Sequence, residues 1–98
     1  MIDRSQIENG NACSYLNVTS KKTQLVKTGE GILVGVAVNT AGSTDTLTIY
    51  DSLSATGTKI GTITVAGAGT IWFKCHFQTG LTIVSGGGTA GDYTYLYV

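Results

Sequence analysis

The stretch that decides the fold is Gly31-Ile32-Leu33-Val34-Gly35-Val36-Ala37-Val38, then Asn39-Thr40-Ala41-Gly42-Ser43-Thr44, then Asp45-Thr46-Leu47-Thr48-Ile49-Tyr50-Asp51. Two β-branched runs flank a cluster of Asn, Gly, Ser and Thr, which is the pattern of two strands joined by a tight turn, and it predicts a hairpin. Alternate residues of a strand point to opposite faces. Ile32, Val34, Val36 and Val38 share one parity, and Leu47 and Ile49 share one parity in the second run, so these residues are expected to face a core. Thr46, Thr48 and Tyr50 take the other face.

Working outward, the same alternation recurs. Ala12 to Val18 reads as a first strand and Thr23 to Lys27 as a second. After Asp51 comes a loop of small residues, Ser52 to Thr58. Lys59 to Ala66 alternates again, with Gly61, Ile63 and Val65 against Thr62 and Thr64. Thr70 to Phe77 is sharply patterned: Ile71, Phe73, Cys75 and Phe77 on one face, Trp72, Lys74 and His76 on the other. Leu81 to Val84 is a further strand. Asp92 to Val98 closes the chain, with Tyr93, Tyr95 and Tyr97 on one face and Thr94, Leu96 and Val98 on the other. About eight short strands at this spacing, without a helical stretch, predict an all-β, single-domain antiparallel β-sandwich or jelly roll. Residues 1–10 are polar and irregular and read as an N-terminal arm ahead of a β domain over residues 11–98.

Composition narrows the function. The chain has 98 residues, 14 glycines, no proline, 12% charged residues and zero formal net charge. Six Lys and Arg scattered from Arg4 to Lys74 form no basic patch, so no nucleic-acid partner is expected, because phosphate binding depends on clustered cations. No apolar run approaches the ~18 residues of a membrane helix, and the N-terminus lacks the apolar segment of a signal peptide. The expectation is no membrane partner and a protein made in a cytoplasm. Cys13 and Cys75 lack the paired spacing of a zinc site, and synthesis in a reducing compartment favours free thiols over a bridge.

Candidate chemistry is thin. His76 is the only histidine; a nucleophile such as Ser14, Ser85 or Cys13 would need to lie within hydrogen-bond reach of it. The six carboxylates include Asp45, Asp51 and Asp92 at strand ends, where Asp bonds turn amides. Gly86 to Gly91 has the composition of a phosphate loop but precedes a strand, not a helix. Tyr93, Tyr95, Tyr97 and Trp72 suit either a sugar-stacking platform or, preferably, a core plus a subunit interface. No catalytic residue, cofactor or metal ligand is assigned, and the chain is expected not to be an enzyme.

The runs Val34 to Val38, Asn39 to Gly42, Leu47 to Asp51, Gly57 to Ile60, Phe77 to Gly88 and Asp92 to Tyr97 resemble a family of small structural proteins of tailed bacteriophages. The resemblance covers roughly residues 31–98. It implies a virion component, a capsid decoration (cement) or head-fibre protein that works as a homotrimer. Its partners would be itself and the major capsid protein or another virion protein, after assembly in the bacterial host cytoplasm. The alternative is a carbohydrate- or receptor-binding module of a phage tail or fibre. For the trimer, Trp72 lies opposite the core parity and the last strand is apolar on both faces. Trp72, Lys74, His76 and Leu96 are therefore the expected subunit interface, with Trp72 as anchor.

Overall fold

A computed structural model describes residues 13–20, 22–43 and 45–98. The expected arm at residues 1–10, and Ala12 of the expected first strand, lie outside the described residues. Eight strands follow in order: β1 (Ser14–Val18), β2 (Thr23–Thr28), β3 (Gly31–Thr40), β4 (Thr46–Asp51), β5 (Thr58–Thr64), β6 (Gly69–Phe77), β7 (Gly80–Gly86) and β8 (Asp92–Tyr97). They form two four-stranded sheets, β1-β8-β3-β6 and β2-β7-β4-β5. Every paired neighbour is antiparallel. The pairs β1–β8, β2–β7, β3–β6 and β4–β5 nest around the β4–β5 connection, and β3–β8 and β4–β7 join them into sheets. A chain folded as one long hairpin and wrapped in this way is a jelly roll.

The hairpin expected at Asn39 to Thr44 does not form. β3 pairs with β6 and β8, and β4 pairs with β5 and β7, so the turn carries the chain from one sheet to the other. The two apolar runs face each other across the core instead of lying side by side. What holds the crossing is polar. Asp45 is fully buried and accepts hydrogen bonds from the Tyr93 hydroxyl and from Thr46 N at 3.0 Å. Gly42 N donates to the same tyrosine oxygen at 3.3 Å. Gly42 is required there because a Cβ would collide with the carbonyl oxygen of Thr89. The Gly86 to Gly91 loop is tied to this corner: Ser43 N donates to Thr89 Oγ1 at 2.8 Å and Gly88 N to Ser43 O at 2.7 Å.

The core lies between the sheets. Val18, Leu33, Val36, Val38, Leu47, Ile49, Phe77, Leu81, Ile83, Tyr93 and Tyr95 are its most buried members. Leu47, Ile49 and Phe77 are where their parity puts them. Burying a Leu, Ile or Phe side chain contributes ~1.5–3 kcal/mol each. In β3 the parity is corrected. Leu33, not Ile32, enters the core, because Val34 is an extra residue between the pairs Leu33–Tyr97 and Gly35–Leu96. Such a bulge shifts the alternation by one. On the other side of β3, Phe73 and Lys74 together span the same gap between the pairs Leu33–Cys75 and Gly35–Trp72. Lys74 sits there at φ 53°. Phe73 is a half-buried flank residue, where a core residue was expected.

Candidate functional site

The outer face of the β1-β8-β3-β6 sheet carries the best candidate site. Register fixes one row across all four strands: Tyr15 opposite Leu96, Leu96 opposite Gly35, Gly35 opposite Trp72. Two aromatic side chains end the row and both stand in solvent, Tyr15 73% and Trp72 64% exposed. Leu96 between them is half-buried. Gly35 matters because an added Cβ would lie 3.2 Å from Trp72 Cε3 and 2.6 Å from the carbonyl oxygen of Ile71. The indole therefore leans across the strand pair onto the glycine, covering backbone that would otherwise be bare.

Of the four residues expected at a subunit interface, the register brings two together. Trp72 and Leu96 share the row through Gly35. His76 is two residues beyond the bulge, opposite Ile32, and its Nε2 lies 3.0 Å from Glu30 Oε2. Both groups are exposed, so that pair contributes at most ~1 kcal/mol. Lys74 is exposed in the bulge. Tyr15 is the member that sequence reasoning missed. Its signal was available: it takes the parity opposite Val18, which the core claims.

The next row holds Asn17, Thr94, Ala37 and Thr70. Asn17 Nδ2 donates to Asp92 Oδ1 at 2.6 Å and to Thr94 Oγ1 at 3.1 Å. Asn39 Nδ2 donates to Asp92 Oδ1 at 3.3 Å and to Thr94 Oγ1 at 3.1 Å. Both amides are engaged with groups of the same face.

The opposite sheet presents a different surface. Thr46 lies opposite Thr64 and Thr48 opposite Thr62, with Val84 beside Thr48 and Thr23 beside Val84. Threonine ladders stabilise cross-strand pairs while keeping hydroxyls in water. The adjoining row of that face holds Leu25, Thr82 and half-buried Tyr50, so what marks the first sheet is the greater exposure of its aromatics, Tyr15 and Trp72.

Of the two readings of Tyr93, Tyr95, Tyr97 and Trp72, the structure leaves no four-residue sugar platform and agrees with the preferred core placement of Tyr93 and Tyr95. Tyr93 and Tyr95 are core residues, and Trp72 faces away from them. Burial, then the hydrogen bond to Asp45, pushes the Tyr93 hydroxyl's pKa above its ordinary 10.0.

The other candidates are dispersed. Ser14 is on β1, at the far edge from His76 on β6, and Ser85 is on β7 in the second sheet. Ser85 Oγ donates to Ser20 O at 3.2 Å and accepts from Lys22 N at 3.2 Å. Cys13 is exposed, Cys75 half-buried opposite Leu33, and both are free thiols. Asp51 accepts from Gln78 N, Thr79 N and Gly80 N, with Oδ1 2.8 Å from Thr79 N. These backbone bonds hold its carboxyl below the usual carboxylate range. Among the described residues no three His, Cys, Asp or Glu side chains gather in a way that could hold a metal ion.

Set against known protein families, curated proteins and solved structures, the chain matches none.

Proposed function

We propose that this chain is a non-enzymatic structural protein of a bacteriophage virion, a capsid decoration (cement) or head-fibre protein. It assembles as a homotrimer through the outer face of the β1-β8-β3-β6 sheet, and the trimer seats on the major capsid protein or another virion protein. The observation that carries the self-association is the row Tyr15, Leu96, Gly35, Trp72, with two large aromatic groups in water on one side of the sandwich. Exposed aromatics of this kind serve as interface anchors. The virion assignment rests on the resemblance of residues 31–98 and on fold analogy, since jelly rolls build viral capsid domains among others.

Three of the four sheet edges also favour a face as the contact. β2, β5 and β6 each combine a register break with a lysine, Lys27, Lys59 and Lys74 respectively. Bulges and lysines block edge-to-edge pairing. Sedimentation equilibrium tests the trimer, and image reconstruction of particles carrying the protein tests the virion position: a cement protein decorates the head lattice in many copies.

A carbohydrate- or receptor-binding module is the second reading. Tyr15 and Trp72 lie about 14 Å apart across three strand spacings, a usable stacking platform. Against it, the amide donors beside the row, Asn17 and Asn39, are already bonded to Asp92 and Thr94. A glycan array decides: specific binding lost in Trp72→Ala, at unchanged oligomeric state, favours this reading over the first.

A further inference from the structure

The fourth sheet edge is built differently from the other three. β1 (Ser-Tyr-Leu-Asn-Val) contains no charged residue. Its register with β8 runs unbroken from Ser14–Tyr97 to Val18–Tyr93. By contrast β2 has an extra residue, Val26, before Lys27. β5 has an extra residue, Ile60, beside Lys59. β6 has the Phe73–Lys74 bulge, with Lys74 at φ 53°. An edge strand offers a row of unpaired backbone N–H and C=O groups, and proteins blunt such rows with the devices seen on β2, β5 and β6.

We propose that the outer edge of β1, which no strand pairs among the described residues, is a strand-addition site for β1 of a second copy of this chain, paired antiparallel about a twofold axis at Leu16. The strand itself argues for a second copy. Centring the axis on Leu16 is the register in which all five residues find a partner: Leu16 with Leu16, Tyr15 with Asn17, Ser14 with Val18. Directly opposed residues of an antiparallel pair point to the same face. The apolar inner side chains, Leu16 and Val18, stay on the core side, and Leu16, only partly buried in one chain, gains cover from its counterpart. No charged side chain lies on either strand of this pairing. Tyr15, 73% exposed, lies at this edge and on the outer face would meet Asn17 of the added strand. Five residues make a short contact, so the pairing is concentration-dependent.

The inference stands independently of the trimer: it uses an edge and a twofold axis, whereas the trimer uses a face. Together they would link trimers side by side into a sheet of copies.

The test is a disulfide trap. In a Cys13→Ser, Cys75→Ser background, Leu16→Cys places two thiols on the axis at the ~4.5–5.5 Å Cα separation of opposed residues, inside the range a disulfide spans. Oxidation should give a covalent dimer whose yield rises with protein concentration. The same treatment of Thr23→Cys, on the protected edge of β2, should leave monomeric chains on a denaturing gel. The dimer should survive addition of Trp72→Ala, which separates this contact from the trimer face. Should Leu16→Cys fail to fold, hydrogen exchange on Trp72→Ala with native β1 decides. Alternate β1 amides should become protected as concentration rises. Protection independent of concentration would mean that the chain's own residues 1–12 cover the edge, and would overturn the proposal. So would unprotected edge amides at every concentration, or a Leu16→Cys protein that stays monomeric on oxidation.

Discussion

Asp51 holds the β6–β7 turn through one carboxylate that accepts three backbone N–H bonds, at Gln78, Thr79 and Gly80. Hydrogen bonds to the charged form favour it, which is why its folded pKa falls below 3.8. The folded-state value lies under the unfolded one, so the stabilisation is complete above the unfolded pKa and is lost as pH falls through the folded value. Asp51→Asn should melt lower than the wild type at neutral pH, and the gap should close on acidification below about pH 4, as read by thermal unfolding across a pH series. A constant gap would assign the turn's stability to shape alone. Phe77, fully buried, is the sharper test of the core. Phe77→Ala should cost ~3–5 kcal/mol in denaturant unfolding. Phe73→Ala should cost clearly less, because Phe73 only flanks the core. Removing the Tyr93 hydroxyl leaves the buried Asp45 without its tyrosine donor, a penalty of ~1–3 kcal/mol. Tyr93→Phe should therefore destabilise, and Asp45→Asn combined with it should recover part of the loss.

At the scale of the element, the sequence located all eight strands and most of their faces. The failures have particular causes. Asn39 to Thr44 was legible as a reversal, but turn residues report only that the chain turns. Whether the next strand pairs in the same sheet or crosses to the other depends on contacts distant in sequence, here Tyr93 with Asp45 and Thr89 with Ser43. The β3 alternation failed at Val34, since a run that is apolar at nearly every position carries no mark of which residue is extra. Ile32 and Leu33 are equally suited to a core, and the bulge chose Leu33. Lys74 makes that irregularity testable. A left-handed backbone costs a non-glycine residue roughly 1 kcal/mol or more, and a β-branched one further. Lys74→Gly should leave stability unchanged or raise it by about 1 kcal/mol, whereas Lys74→Val should lower it; denaturant midpoints read both. The edge charge goes in either variant, so light scattering of both should also rise if Lys74 guards β6.

For the whole molecule, a sandwich this size has two outer faces, and the two most exposed aromatic groups, Tyr15 and Trp72, lie on the same one; the other carries half-buried Tyr50 and partly exposed Leu25. The parts of the site legible in sequence were Trp72, whose parity opposes Phe73 and Phe77, and Leu96 on the last strand. The outward face of Tyr15 was legible from its parity opposite Val18, but its place in the row was not, because joining it to Trp72 requires knowing that β1, β8, β3 and β6 are neighbours in that order. Position of a row across a sheet is a property of topology, absent from any one strand. The central claim is that this row is buried between copies. A stable contact of that kind covers about 1,600 Å² in total with an aromatic anchor at its centre. Sedimentation equilibrium of the wild-type chain and of Trp72→Ala, with far-UV circular dichroism on both, tests it most directly. The account predicts a wild-type trimer at high micromolar concentration and a Trp72→Ala protein with an unchanged β spectrum but a much smaller trimer fraction. A wild-type chain that sediments as a monomer, or a Trp72→Ala variant that folds and trimerises as well as the wild type, would contradict it.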